Sequence, residues 1–488
     1  MSQDIRNQEP TIVWNHFADL NAVPRPSKKE ERVIQFMVDF GKKLHLETFV
    51  DKVGNVIIKK PASSGMENRK TIVMQGHLDM VHQKNSDTIF DFDKEGIKMF
   101  VDGDWIKAEG TTLGADNGLG VAAIMAVLSS NEIVHPKIEA LFTVDEETGM
   151  TGAMGLEGGV LEGEILLNLD TEEDDEIGIG CAGGVDVTAT RTYLEEETPG
   201  NTTAFSIVVK GLNGGHSGMD IIKGLGNANK IMNRILFDGF ANFGVRISEI
   251  NGGSLRNAIP RESAATIVVD NISKEPFLFE TNELINNIKE EFSTLETNLL
   301  IEIQEVTSPK MVMDLGVQEG FTKAIYAALN GVYRMSPDVQ GLVETSNNIA
   351  RIILKDGAIK VGCLARSSSE TNKWDLANSL RSCFELAGFE VDLSGTYPGW
   401  LPNLNSEILK IVSTVYNDLF KENPKVAACH AGLECGILGQ NYPEIDMVSF
   451  GPTIRGAHSP DERAQISSTQ KFWKLLLEIL KNIPKKNA

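Results

Sequence analysis

The sequence predicts an α/β protein: a domain with a mixed sheet flanked by helices, interrupted by an inserted α+β domain. Three observations carry this. Strand-like apolar runs alternate with helical segments as far as about Gly184. Half-exposed, alternating strands then replace them, and the first pattern returns after the breaker-rich TYPGW. At 488 residues the chain also exceeds what one hydrophobic core ordinarily serves. The expected boundaries are 1–186 with 399–488 for the outer domain, and 187–398 for the insertion.

The elements follow in order. IVWNHFADLNAVPRPSKKEERVIQFMVDFGKKL has helical apolar spacing on both sides of Val23–Ser27, and Ser27 followed by Glu30 and Glu31 resembles a helix start. ETFVDKVGNVIIKK, KTIVMQGHLDMV, IEALFTVDEE and EILLNLDTEE read as strands. GLGVAAIMAVLSS is a small-residue helix that must pack closely on a sheet. In the insertion, TAFSIVVKGL, GLGNANKIMNRILFDGF, SLRNAIPRESAATIVVD, FETNELINNIKEEFSTLE and LLIEIQEV have the order of a ferredoxin-like βαββαβ unit. A second stretch of similar order runs from about Gly320 to Ser394, so two such units are expected. The chain closes with a helix, a Gly-rich loop, strand DMVSFG and helix TQKFWKLLLEILKNI.

Composition narrows the function. A net charge of −22 argues against nucleic acid or an anionic membrane as partner. MSQDIRNQEP is polar, so no secretory signal is expected, and no run approaches the ~18 apolar residues of a membrane span. Five cysteines at no metal-finger spacing read as reduced thiols of a cytoplasmic protein.

The chemistry-bearing residues follow apolar runs. His77, Asp116, Glu147, Asp170 and His458 stand in MQGHLDMVH, TTLGADNGLG, TVDEETG, LLNLDTEE and GAHSPDER. Two imidazoles and three carboxylates suit a pair of divalent ions of the zinc type, each keeping a position for water. Asp79 shares the face of His77 and can orient its ring, although a capped turn beside a core histidine is an equal reading. Asp116, short and at a helix entrance, is the natural bridge, while Asp116 or Asn117 can also cap that helix. Of the adjacent acids, Glu147 is assigned to metal and Glu146 to general base; such pairs are also common on solvated loops. Asp461 could cap a following helix, and His16, His45, His82 and His135 lie on no matching loop. Three carboxylates against two divalent ions leave about one positive charge, which favours acidifying bound water.

HLDMV, GADNGLG, DEETG, NLDTEE, GGHSG and HSPDE together resemble the metallopeptidases of the aminoacylase, carboxypeptidase G and dipeptidase group. GTTLGADNGLG, RNAIPRE, CLARSS, HAGLECG and GPTIRGAHSPDE are most similar to its aminoacyl-histidine (Xaa-His, carnosinase-like) dipeptidase subgroup. The resemblance implies a cytoplasmic, homodimeric dipeptidase whose catalytic domain is interrupted by a lid. It implies two Zn2+ per subunit, with Mn2+ or Co2+ substituting. His77 and Asp170 would hold one, Glu147 and His458 the other, with Asp116 between them. His216 becomes a donor to the substrate carbonyl, and Asn257 and Arg366 grip substrate, Arg455 being the rival for its carboxylate. Glu434 could meet the substrate's amino group, and His430 its side-chain pocket. Tripeptidase or N-acyl amino acid deacylase activity on the same site is the alternative, and a two-metal phosphoesterase the more distant one.

Overall fold

The computed structural model describes residues 2–486. The chain divides into two compact units. The first comprises the residues up to Gly180, Pro402–Ala428, and those from Glu434 onward. The second is Cys181–Leu401 with Cys429–Leu433.

The first unit is built on an eight-stranded mixed sheet. Its order is Glu47–Val50, Val56–Lys60, Ile138–Thr143, Ile72–His77, Ile165–Asn168, Asp446–Ser449, Glu176–Cys181, Lys425–Cys429. The four strands Ile138–Thr143, Ile72–His77, Ile165–Asn168 and Asp446–Ser449 run parallel. Ile72–His77 and Ile138–Thr143 are buried at every residue, which accounts for their mainly apolar sequences, and Gln75, His77, Glu139 and Thr143 are their buried polar positions. Helices Glu31–Lys43, Ala115–Ser129, Glu407–Phe420 and Ile466–Asn482 share one core with Ile58, Met74, Ala140, Leu167 and Val448. On the alternate positions, apolar residues such as Val73, Leu141 and Leu166 give way toward the carboxyl ends of the strands to buried polar ones: Gln75, Thr143, Asn168 and Ser449.

Helix Ala115–Ser129 is buried nearly all round. Its small residues let it lie on strand Ile72–His77 and on helix Thr11–Asn21 at once. Two expected helix starts differ. Helix Glu31–Lys43 is preceded by Glu30, because the Ser27 hydroxyl donates instead to Asp79 at 2.8 Å. Asn117 does not cap Ala115–Ser129; its side-chain amide donates to the carbonyl of Leu169 at 2.6 Å.

The second unit has a nine-stranded antiparallel sheet. Thr202–Lys210, Ala228–Phe243, Arg246–Gly252, Ser263–Asp270, Lys274–Glu291 and Leu300–Val306 form one βαββαβ module. In space its strands run fourth, first, third, second, the ferredoxin-like order. The second module takes helices Leu315–Ala327 and Glu370–Leu386 with strands Val343–Lys355, Ala358–Ser367 and Glu390–Tyr397. Its first strand is Gly183–Thr192, so the first module is itself spliced in after that strand. The modules join edge to edge by antiparallel pairing of Arg246–Gly252 with Val343–Lys355. All four helices contribute to one core with sheet residues such as Val187, Ile207, Ile267 and Ile352.

Candidate metal centre

Parallel strands put their carboxyl ends on one side of a sheet, where loops can converge. His77 is the last residue of its strand. Glu146 and Glu147 follow Ile138–Thr143 through Asp145, which takes a left-handed φ of 58°. Asp170 lies just past Ile165–Asn168. Asp116 opens helix Ala115–Ser129, and His458 sits in the turn between Ile454–Arg455 and Arg463–Gln465.

These residues meet around Asp116. One of its oxygens is 3.1 Å from His77 Nε2 and the other 3.3 Å from His458 Nε2. His77 Nε2 is 3.6 Å from Asp170, and His458 Nε2 is 3.0 Å from Glu147. Candidate ligand atoms thus form two groups within 4.8 Å, His77–Asp116–Asp170 and Asp116–Glu147–His458, with Asp116 in both. His77, Glu146 and Glu147 make a third such group.

The electrostatics fit a site for cations. Glu147 Oε1 and Asp170 Oδ1 are buried without a hydrogen-bond partner. Burial lifts Asp170 to about 6. Burial alone would lower His77, yet Asp170, Asp116 and Asp79 raise it well above its usual value. Hydrogen bonds to Asp116 and Glu147 raise His458 to about 11. Such crowded carboxylates demand positive charge, and hard-to-borderline divalent ions suit these donors.

Asp79 supports the cluster from behind. Its carboxylate lies 3.4 Å from His77 Nδ1, and its backbone carbonyl 3.2 Å from the same atom. It also accepts the amides of Glu146 at 3.0 Å and Glu147 at 3.2 Å, so one side chain orients an imidazole and the acidic turn. Glu146 is raised well above the usual carboxylate range, first by burial and then by neighbouring acids. Asp461 caps no helix; its own amide donates to Ser459, and the next helix begins at Ile466.

Glu434 is also in the first unit, fully buried, and accepts from Gln75 Nε2 and Thr143 Oγ1 at 2.6 Å each. Its other oxygen has no partner, and burial pushes its pKa to about 8. Gln75 continues to Asn168, and Asn168 to Ser449, each at 2.5 Å, so the polar strand positions form one chain. Arg455 pairs with Glu173 at 2.8 Å.

In the second unit, His216 lies on the short strand Gly215–His216, which pairs with Ala258–Ile259. The amides of Gly218 and Met219 donate to its Nδ1, so the ring proton belongs on Nε2. Burial, helped by Arg366, lowers it to about 4 and keeps it neutral. His430 meets the Ser346 hydroxyl at 2.7 Å through Nε2 and is lowered to about 3, first by burial and then by Arg366 and His216. Arg366 is buried and donates to Tyr397 at 2.7 Å. Asn257 is exposed, and its carbonyl accepts from Ser217 at 2.8 Å.

The sequence reading passed over two buried ions. Arg25 touches the backbone just after His77, and Glu462 the backbone leading to Asp116. Arg25 stands between two prolines and Glu462 ends the acids of HSPDER, and neither lies in a pattern that marks a buried charge.

Residues 73–482 match the peptidase family M20/M25/M40. The chain is 43% identical to the cytosol non-specific dipeptidase of Escherichia coli K12 over 485 residues, covering 99% of this chain and all of that one. The crystal structure of aminoacylhistidine dipeptidase from Vibrio alginolyticus aligns with a TM-score of 0.93 at 43% identity over the full length of both chains. A tripeptidase from Staphylococcus aureus aligns at 0.56 and 17% identity, covering 98% of this chain and 99% of that one, which shows a shared fold. The chain belongs to the M20/M25/M40 peptidases.

Proposed function

We propose that this member of the M20/M25/M40 family is a dinuclear zinc dipeptidase, acting on Xaa-His and other free dipeptides. The observation that carries it is the sharing of Asp116 between two ligand groups, with Glu146 beside them. The dipeptidase names of the two full-length relatives support the same reading. His77 and Asp170 would hold one ion, His458 and Glu147 the other, and Asp116 both. Zinc, or manganese or cobalt in its place, would polarise the scissile carbonyl and acidify water.

The chain's own groups do the rest. A carboxylate oxygen of Glu146 takes the proton of the attacking water and returns it to the leaving amine. A raised proton affinity suits that exchange near neutral pH. Asp79 holds the His77 ring and the Glu146 amide in place. His216, neutral with its proton on Nε2, is assigned as donor to the substrate's carbonyl oxygen. Arg366 is assigned the substrate carboxylate, because a guanidinium grips a carboxylate with two donors; Asn257 is assigned to hold the substrate beside it, and His430 to the side-chain pocket. Glu434, with one oxygen unpartnered, is assigned the free ammonium, whose charge would draw it to the ionised form.

Among the described residues no helix is long and apolar enough to cross a membrane. A cytoplasmic homodimer completes the proposal. The test is a steady-state panel on the zinc-loaded enzyme. Carnosine-type and ordinary dipeptides should exceed N-acetylated dipeptides, tripeptides and N-acyl amino acids at least tenfold in kcat/KM. Equal rates on free and blocked substrates would overturn the dipeptidase reading.

A further inference from the structure

We propose that Glu462 and Arg25 are positioning residues that together fix the bridging carboxylate of Asp116 against His77 and His458. This rests on the metal assignment above. Glu462 is buried, and its carboxylate accepts four successive backbone N–H groups. Oε2 takes Leu113 at 2.7 Å and Gly114 at 2.9 Å, while Oε1 takes Ala115 at 2.8 Å and Asp116 at 3.2 Å. Four amides can converge on one side chain only if the chain curls, and Gly114 supplies the curl with φ +69°.

Arg25 takes the carbonyls of the same region. Nη2 donates to Gly114 at 2.5 Å and to Asn21 Oδ1 at 3.0 Å. Nη1 donates to the carbonyls of Leu78 and Asp79, each at 3.0 Å. One guanidinium therefore ties the approach to Asp116 to the exit from His77. A Cβ at Gly114 or Gly118 would lie 2.6 Å from Nη2, so the glycines of GADNGLG leave its space. Glu462 also stands four residues after His458, in a loop closed by Ser459 donating to Gly456 and Glu462 to Ser459. Three ligands on three segments are thus referenced to two buried, opposite charges. Enclosing two charges in this way is costly in desolvation, so packing alone gives no reason to keep them. Groups behind metal ligands typically set affinity or activity by about 10–100-fold.

The experiment is Glu462→Gln, whose amide would turn N–H donors against the backbone N–H groups. Zinc affinity and stoichiometry are read on apoprotein by competition with a chromophoric chelator, beside a thermal melt and kcat and KM for a dipeptide. The expected result is a folded apoprotein whose weaker zinc binds about 10–100-fold less tightly, with kcat lowered and KM near wild type. Wild-type affinity for both ions, or losses that vanish well below the melting temperature, would overturn the proposal. Should Glu462→Gln not fold, Arg25→Lys keeps the charge, loses the fork, and is read in the same way. Zinc affinity needs no substrate, so a mistaken dipeptide assignment leaves this result standing. A wild-type chain that bound no zinc would instead defeat the metal assignment itself.

Discussion

Glu146 is the residue with two incompatible uses. It stands close enough to His77 and Glu147 to be a third ligand, yet it belongs to neither group that contains Asp116. Its amide is held by Asp79, so the turn that carries it is fixed by the protein itself. As a base, its removal costs proton transfer alone, a factor of about 10^2–10^4. Glu146→Gln should therefore lower kcat by that factor while metal analysis still finds the wild-type content. Loss of an ion with the activity would make Glu146 a ligand. At this scale the proposed donors His77, Glu147 and Asp170 are marked in the sequence by the buried strands they end or follow, and Asp116 and His458 by the Gly-containing loops GADNG and GAHSP. Arg25 and Glu462 are not, because most of their partners are backbone atoms far away in sequence, and no side-chain pattern marks a backbone contact.

Helix Ala115–Ser129 shows how an element can set a site. Its glycines look like helix weaknesses, since Ala is favoured over Gly by about 1 kcal/mol in a helix interior. At Gly120 that preference loses. An added Cβ would collide with the carbonyl oxygen of Leu169 and lie 2.6 Å from Asn117 Oδ1. Leu169 directly precedes Asp170, and the Asn117 amide already holds that carbonyl. Gly120→Ala should thus destabilise the protein by about 1–3 kcal/mol, the usual cost of overpacking, read as a lower urea midpoint at unchanged m. A midpoint raised by the substitution would show that propensity governs there. The close packing of this helix was legible from its small residues. VDVTATRTYLEEE alternates as a half-exposed strand, but its place as the first strand of the second βαββαβ module was not legible, because Gly183–Thr192 pairs with strands far later in the chain, and local alternation does not reveal a partner.

At the scale of the molecule, composition and contacts mark nearly the same division by different signals. Hydrophobic patterning changes near Gly184 and again at TYPGW, whereas contacts divide the chain after Gly180 and Leu401 and add Cys429–Leu433 to the second unit. That short strip carries no compositional mark, yet Ala182 donates to the carbonyls of Cys429 and Ala431, and His430 meets Ser346. The rest of the second unit is one continuous stretch with its own core, including Val187, Ile235, Phe277, Phe321, Ile352 and Leu380. Burying such side chains gives about 1.5–3 kcal/mol each, against roughly 1 kcal/mol for each hydrogen bond lost with the strip. The balance favours independent folding. Residues 181–401 expressed alone should therefore unfold in one cooperative urea transition by circular dichroism, and should bind no zinc tightly, since all five proposed ligands are elsewhere in the chain. A broad, non-cooperative transition with dye-binding apolar surface would show instead that this unit depends on the remainder of the chain for its fold.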